Sequence, residues 1–287
     1  MTISKGRAIP AGVQTRATER LANLPWWGLV VLLAAVFFVY SFTTDQRYQE
    51  VIEKLIVGVR LTLTVTVSAY AFAITLGLFT GMGQLSTNVV VRNAALLYVQ
   101  VIRGVPIIVQ IFYTAFVIVP AAIGAINLLG ARLSEAGILT AENALSALTV
   151  RDVNFMTRGI IALAISYGGF SSEIFRAGIQ SISAGQVEAA QALGLTRWQS
   201  LRLIILPQAI RRVLPPLGND FIAMLKESSL VSVLGVNEVT HLGKKYAAAS
   251  FRFPETYNTL AFLYLSMTLM LSMGVKYMER KLKINTK

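Results

Sequence analysis

The sequence contains no cysteine and only one histidine, His241, among its 287 residues. The absence of cysteine excludes disulfide bridges, thiolate catalysis and cysteine metal sites, and a lone loop histidine is usually a solvated side chain. Charged residues are also scarce: they make up 14% of the chain, against about 25% in a typical soluble domain. Because 55% of the residues are hydrophobic and the mean hydropathy is +0.62, the composition predicts a membrane protein.

A phosphate-binding loop of the form G-x-x-x-x-G-K-[ST] is also missing. The nearest strings are residues 243–245 (GKK), which lack the earlier glycine and the hydroxyl residue, and residues 81–83 (GMG), which lie in an apolar run. We therefore expect no catalytic residue, no cofactor-binding residue and no metal site in this chain, and we predict that it is not an enzyme.

Several apolar segments are long enough to cross a hydrocarbon core about 30 Å thick. They cover roughly 25–43, 57–83, 93–119, 157–178, 211–236 and 257–278. The predicted fold is therefore an all-α membrane protein with about six transmembrane helices. No small-residue cleavage site follows the first segment, so we predict an uncleaved anchor helix there and not a signal peptide.

The distribution of basic residues predicts the orientation. The net charge is +12, and placing the N-terminus in the cytoplasm gives the internal segments more lysine and arginine than the external ones. We therefore predict cytoplasmic termini and no nucleic-acid partner. Residues 1–24 are then a cytoplasmic segment, 25–56 an additional N-terminal helix with its external loop, and 57–287 the main transmembrane domain.

A long external loop is predicted over 120–156, with a short surface helix after Thr140. It is either a plain connector or a docking surface. Small residues also recur every four positions in two spans, at Ala73, Gly77 and Gly81 and at Ala164, Gly168 and Ser172. This spacing lets helix backbones approach closely in lipid.

The internal segment 183–209 has the pattern of two short helices that meet at Gly194, a typical helix-ending residue. Capping boxes are predicted at the two helix starts, formed by Ser183 with Gln186 and by Thr196 with Gln199. Pro207 is predicted to close the second helix. The pattern alone fits either a hairpin on the membrane surface or an element that docks against a cytoplasmic partner.

The same segment resembles the EAA motif of ABC importer permeases, which reads EAA, three residues, Gly, nine residues, then I-x-L-P. The matching residues are Glu188, Ala189, Ala190, Gly194, Ile204, Leu206 and Pro207. Residues 98–113, 167–186 and 214–239 are similar to the polar amino-acid permeases of the histidine, glutamine and arginine importers. The resemblance covers roughly 55–285 and implies a type I ABC importer permease core with one extra N-terminal helix.

The resemblance implies the membrane permease subunit of an ATP-driven importer of polar amino acids in the bacterial inner membrane. Its implied partners are a second permease subunit, identical or paralogous, a cytoplasmic ABC ATPase dimer that carries the ATP and Mg, and a periplasmic amino-acid-binding protein. The residues implied to couple the chain to the ATPase are Glu188, Ala189, Ala190, Gly194, Arg197 and Pro207.

Ionisable residues inside spans cost roughly 2.5–3.5 kcal/mol to insert, so they usually face a partner or water. The polar residues predicted to line a substrate pathway are Asn219, Asp220, Lys226, Glu227, Ser228, Ser229, Arg103 and Gln110. Internal pairing that fixes the helices is the alternative for the fifth-span group. Arg103 could instead pair with Glu173, and Pro106 predicts a kink that leaves the carbonyl of Ile102 without its helical donor.

The alternative function is an ion-coupled secondary amino-acid transporter, in which Asp220, Lys226 and Glu227 would form a proton relay. Such transporters commonly contain an internal repeat, which this sequence does not show, and they have no use for an EAA loop. A purely structural membrane anchor would leave the charges inside the spans unexplained.

Overall fold

The computed structural model describes residues 26–140 and 143–283, so the predicted segment 1–24 lies outside the described residues. The described residues contain helices and no strand, which confirms the all-α prediction. The α-helices are α1 (Trp26–Thr44), α2 (Gln46–Gln84), α3 (Val89–Gly104), α4 (Ile107–Tyr113), α5 (Val119–Glu135), α6 (Phe155–Gln180), α7 (Ala184–Ala192), α8 (Arg197–Ser200), α9 (Leu206–Glu227), α10 (Val239–Ser250) and α11 (Phe253–Lys283). Thr114–Ile118 and Leu201–Ile205 are π-helical turns, and Ser228–Leu234 is a 3₁₀ helix.

The chain divides into two compact units, and the second begins at Glu50. Helix α1 of the first unit is apolar on all sides, as expected of a helix in a lipid environment. Across the described residues, three helical runs are long and apolar enough to cross a membrane: Gln46–Gln84, Ile107–Glu135 and Phe253–Lys281. Helices α6 and α9 were also predicted as spans. They contain polar residues such as Ser171 and Glu173 on α6 and Asp220 and Glu227 on α9.

The core of the second unit lies where α2, α6 and α9 meet. Val65, Ala69 and Ala73 of α2 pack with Leu163 of α6 and Met224 of α9, and all five side chains are fully buried. Burial of such side chains contributes roughly 1.5–3 kcal/mol for each large one transferred from water. In a bilayer this driving force is absent, so close packing must hold the helices together.

The two small-residue stripes supply that close packing. A Cβ atom added to Gly77 would lie 2.8 Å from the Cβ of Ser171 and 3.1 Å from the backbone oxygen of Gly168, and one added to Gly81 would lie 2.8 Å from the oxygen of Ser172. The stripes on α2 and α6 therefore face each other, and the predicted close approach of the two helices is confirmed.

Three details of the chain differ from the sequence-based expectation. Pro207 does not end a helix: the helical run continues from Arg197 to Glu227, and Pro207 is the second residue of α9, directly after the π-helical turn Leu201–Ile205. The short helix predicted after Thr140 is wrong for the described residues, because residues 144–147 form a turn. The first part of the predicted loop 120–156 is instead the helix α5.

Candidate functional site

The loop between α6 and α8 is built around Gly194, whose φ of +79° lies in the left-handed region. The N–H of Gly194 donates to the carbonyl of Gln191, and the N–H of Leu195 donates to the carbonyl of Ala190. This pair of bonds is the Schellman motif, which satisfies the last carbonyls of α7 and strongly favours glycine. The predicted helix-ending role of Gly194 is confirmed.

The capping predictions for this loop are half correct. The N–H of Thr196 donates to Oε1 of Gln199 at 2.8 Å, and the N–H of Gln199 donates to Oγ1 of Thr196 at 3.3 Å. Ser183 does occupy the N-cap position of α7, but its side chain makes no capping hydrogen bond. The α7 start is therefore held by backbone geometry alone, while the α8 start has the reciprocal capping box.

The side chains of the EAA segment fall into two groups. Ala190 is buried, whereas Glu188 and Ala189 are exposed. Exposed apolar side chains follow on the same loop: Leu193 is 82% exposed and Trp198 is 68% exposed. Exposed clusters of large apolar residues mark interaction sites, so this loop presents a surface suited to a protein partner. Arg197 begins α8, and Pro207 lies in the first turn of α9.

The fifth-span polar residues form two lines on α9, which lie about 100° apart because each residue advances by that angle. Asp220 and Glu227 are half-buried, whereas Asn219 and Lys226 are exposed on the adjacent line. Among the residues that the structure describes, no ion pair joins Lys226 to a carboxylate. The internal pairing considered as an alternative for this group is therefore not present for Lys226.

Asp220 faces α6, where Oγ of Ser171 donates to its Oδ2 at 2.8 Å. Tyr70 of α2 stands beside this pair, and its hydroxyl donates to the carbonyl of Leu217 at 2.5 Å. Tyr167 of α6 is buried and interacts with Glu227 and Asp220. Two carboxylates and two tyrosine hydroxyls thus meet where α2, α6 and α9 cross.

Glu227 ends α9, and the residues after it are tightly packed. Its Oε2 atom is buried and has no hydrogen-bond partner within the described part of the chain. Ser228 is fully buried, and its hydroxyl donates to the carbonyl of Leu225, while Ser229 is half-buried. A buried carboxylate oxygen without a donor is costly, so Oε2 of Glu227 is a candidate acceptor for a further donor beside Tyr167, which already interacts with this carboxylate.

Arg103 lies in the last turn of α3, beside Glu173 of α6. Its Nη1 is 3.9 Å from Oε2 of Glu173, and Nη2 of Arg176 is 2.7 Å from the same oxygen. The structure thus contains both the long Arg103–Glu173 pair and the short Arg176–Glu173 pair within α6. Because the Arg103 side chain is 53% exposed, this ion pair contributes little to stability.

Gln110 hydrogen-bonds to the carbonyls that are left free at the break between α3 and α4, where Pro106 interrupts the helix. Its Nε2 donates to the carbonyls of Ile102 and Val105, each at 2.7 Å, and its Oε1 accepts from Oγ of Ser166 at 2.6 Å. The predicted break at Pro106 is confirmed, and the acceptor expected at Ile102 is occupied by Gln110. Since the amide groups of Gln110 are engaged, this geometry favours a structural role for it.

Replacing Gln110 with leucine is expected to destabilise the protein by about 2–4 kcal/mol, because two buried carbonyls lose their donor. Ser166→Ala removes only the hydroxyl that donates to Oε1 of Gln110 and should cost about 1 kcal/mol. The measurement is the unfolding midpoint of the purified chain in one detergent. Equal midpoints for Gln110→Leu and the unmodified chain would contradict a stabilising role for the Gln110 hydrogen bonds.

Sequence reasoning missed three side chains that the fold brings to the crossing: Tyr70, Tyr167 and Ser171. Ser171 adjoins the predicted small-residue stripe, which was the one available signal for it. The tyrosines contact residues that are far away in the sequence, and no local sequence pattern predicts these contacts. No group of three histidine or acidic side chains is placed to hold a metal ion within 26–140 and 143–283.

The sequence of this chain is similar to those of known transport permeases. The chain is 34% identical over 230 residues to the glutamine transport system permease protein GlnP of Escherichia coli (strain K12), which covers 80% of this chain and 93% of that protein. It is 33% identical over 226 residues to the nopaline transport system permease protein NocM of Agrobacterium fabrum, with 79% and 86% covered.

A solved structure described as an amino acid ABC transporter with histidines superposes with a TM-score of 0.65 at 33% identity, covering 84% of this chain and 98% of that one. The MetNI methionine ABC transporter gives a TM-score of 0.61 at 18% identity, which shows the fold alone. The predicted type I ABC importer permease fold is thereby confirmed. Residues 73–284 match the family profile as well, and the chain belongs to the family of binding-protein-dependent transport system inner membrane components.

Proposed function

We propose that this ABC permease imports a polar amino acid, with the half-buried line of Asp220 and Glu227 on its pathway. The observation that carries the proposal is the Asp220–Ser171 pair, a charge-capable group held between two helices of a mostly apolar bundle. Such groups inside membranes mark substrate pathways. The names of GlnP and NocM, which refer to glutamine and nopaline, support an amino-acid-like substrate.

The acceptor groups at the crossing suit the ammonium end of an amino acid. Asp220 and Glu227 offer carboxylate oxygens, and Ser171 and Tyr167 add hydroxyls. Lys226 is the nearest cation in the sequence, and its exposure leaves it available for a carboxylate. Asn219, Ser228, Ser229, Arg103 and Gln110 complete the proposed pathway set, with the structural role of Gln110 described above.

The EAA loop is proposed to transmit the power stroke of an ATPase. Its exposed Leu193 and Trp198 would enter a groove on a cytoplasmic ABC ATPase, one copy of which would serve each of two permease subunits. The ATP and Mg belong to that ATPase dimer, since no phosphate-binding loop is present here. A periplasmic binding protein would deliver the amino acid to the other end of the bundle.

Uptake into liposomes tests this function against the ion-coupled alternative. The chain is reconstituted with its ATPase, and the binding protein and labelled glutamine, arginine or histidine are added outside. Uptake of at least one of them is expected to require ATP inside the vesicles and to continue after a protonophore is added. Uptake that continues without ATP and stops with the protonophore would establish the proton-coupled transporter instead.

The proposed orientation places both termini and the EAA loop in the cytoplasm of a bacterial cell. Single cysteines can test it, because the chain has none. Exposed Ser183 in the EAA segment and exposed Ala147 in the 120–156 loop are the sites. Ala147→Cys is expected to react with an impermeant thiol reagent in intact spheroplasts, and Ser183→Cys only after the membrane is opened. Labelling of both from the same side would overturn this topology.

A further inference from the structure

The end of the bundle opposite the EAA loop carries cations without partners. Arg60 lies inside the apolar run of α2, and Lys245 lies on α10; both are exposed. Within the described residues, neither side chain makes a hydrogen bond or an ion pair. An arginine near the end of a spanning helix carries its charge to the membrane interface, where the phosphate groups of anionic lipids can supply a counter-charge.

These two cations line one cavity of about 580 Å³ between α2 and α10. Thr64 and Asn237 add polar groups to its wall, and Val57 and Leu242 form an apolar rim. None of the described residues that line this cavity is acidic. Its chemistry is therefore that of an anion site beside hydrocarbon, at the level where a spanning helix leaves the apolar region.

A second, apolar groove of about 570 Å³ begins one turn further along α2. Val67, Ala71 and Ile74 line it from α2, facing Phe221 of α9 and Met270 of α11. The ten residue steps from Thr64 to Ile74 span about 15 Å at the helical rise of 1.5 Å per residue. That length is about half of a 30 Å hydrocarbon core, the share of one leaflet.

The groove lies on a different side of α9 from the proposed substrate pathway. Phe221 lines the groove, whereas its neighbour Asp220 points to Ser171 of α6. Tyr70 also lines the groove, but its hydroxyl already donates to the carbonyl of Leu217, so the described walls offer an amino acid little besides hydrocarbon. A cationic cavity is thus followed along α2 by an apolar groove, and together they extend over about one leaflet. This order matches an anionic lipid, with its phosphate at the cations and an acyl chain in the groove.

We propose that Arg60 and Lys245 bind the phosphate group of an anionic phospholipid, one acyl chain of which lies in the groove between α2, α9 and α11. The lipid supplies the counter-charge that Arg60 lacks, and its chain fills the space beside Val67 and Ala71. This site borders the transport pathway at Tyr70 but does not include Asp220 or Glu227, so it holds whether or not the transported molecule is an amino acid.

Native mass spectrometry of the full chain, delipidated and then titrated with dioleoyl phosphatidylglycerol, tests the site. Dioleoyl phosphatidylcholine, which has the same chains and no net charge, is the lipid control. Arg60→Gln and Lys245→Gln are each expected to weaken phosphatidylglycerol binding about fivefold, and the double variant about 25-fold. Lys54→Gln, an exposed cation on the same helix outside the cavity, should change nothing, and all variants should keep the same unfolding midpoint.

The outcomes separate the possible occupants. Ala71→Trp fills the groove and should weaken both lipids, while inorganic phosphate and free glutamine should not compete with phosphatidylglycerol. Equal binding of the two lipids, or unchanged binding by the double variant, overturns the proposal. Competition by phosphate or glutamine would make this a small-anion site instead. Disulfide formation between two copies of Ala71→Cys would make the groove a subunit interface, which also overturns the proposal.

Discussion

Replacing Gly194 with aspartate is expected to reduce ATP-driven uptake to background while the chain stays in the membrane. Gly194 sits at φ +79°, where a side chain costs about 1–2 kcal/mol. A Cβ there would meet no atom within 4 Å, so strain in the turn is the whole effect and no clash contributes. The turn sets the angle between α7 and α8, and a loop that docks on an ATPase through Leu193 and Trp198 depends on that angle.

Gly185→Asp is the matched control for this prediction. Gly185 lies in the same loop, also has open space around its Cβ position, and does not have a positive φ. It stands in the first turn of α7, where an acidic residue is favourable. The pair therefore adds the same charge to the same loop and differs in backbone strain and in the end of α7 that the charge adjoins.

The readouts are substrate uptake, membrane level of the chain and co-purification of the ATPase. Loss of uptake in Gly194→Asp with normal membrane level, together with full uptake in Gly185→Asp, is the expected result. Gly194→Asn should fall between them, because asparagine tolerates the left-handed region better than most residues. Full uptake by Gly194→Asp with normal ATPase recruitment would remove this loop from energy coupling.

The sequence predicts the parts of the fold that follow from local chemistry. Apolar runs long enough for a bilayer locate the helices, and the glycine and capping residues locate the turn at Gly194. The break at Pro106 is predictable because proline has no N–H to donate. In each case a few neighbouring residues determine the backbone, so no knowledge of the tertiary structure is needed.

What the sequence does not predict depends on contacts between distant segments. Pro207 looks like a helix terminator, yet the same residue is compatible with a first turn, and only the continuity with α8 decides between them. Arg158 is buried and donates to the carbonyls of Val153, Ala115 and Val150. It holds the segment before α6 against the π-helical turn after α4, and no spacing in the sequence connects these positions.

In the candidate site, too, local features are predictable from the sequence and long-range contacts are not. Periodicity places Asp220 and Glu227 on one line of α9, and their cost in a membrane marks them as functional candidates. Periodicity cannot say which way that line points. The Ser171 contact fixes it toward α6 and leaves Lys226 on the exposed side, so the two signs of charge that the sequence groups together face different surroundings.

Asp220→Asn is expected to raise the substrate concentration for half-maximal uptake about 10- to 100-fold, because hydrogen bonds to a charged group contribute about 1.5–3 kcal/mol. Asparagine keeps the shape of the side chain and can still accept from Ser171, so the helix contact is retained. Asp220→Ala should show the same or a larger effect. The measurement is uptake against substrate concentration in the reconstituted system.

Ser171→Ala separates positioning from binding. It removes the hydroxyl that donates to Asp220 at 2.8 Å and leaves the carboxylate in place, so a smaller effect of about fivefold is expected. Membrane level and ATPase co-purification must stay normal in every variant, since a misfolded chain would also lose uptake. An effect of Ser171→Ala as large as that of Asp220→Asn would assign the pair to helix packing.

Lys226→Ala tests whether Lys226 binds the carboxylate group of the substrate. If Lys226 binds the carboxylate, its loss raises the half-maximal concentration for all amino acids alike, because each carries that group. Asp220 and Lys226 would then contribute independently, and the double variant should show the product of the two effects. If Asp220→Ala and Lys226→Ala both assemble and transport normally, the polar lines of α9 are structural, and selection rests with the binding protein that delivers the amino acid.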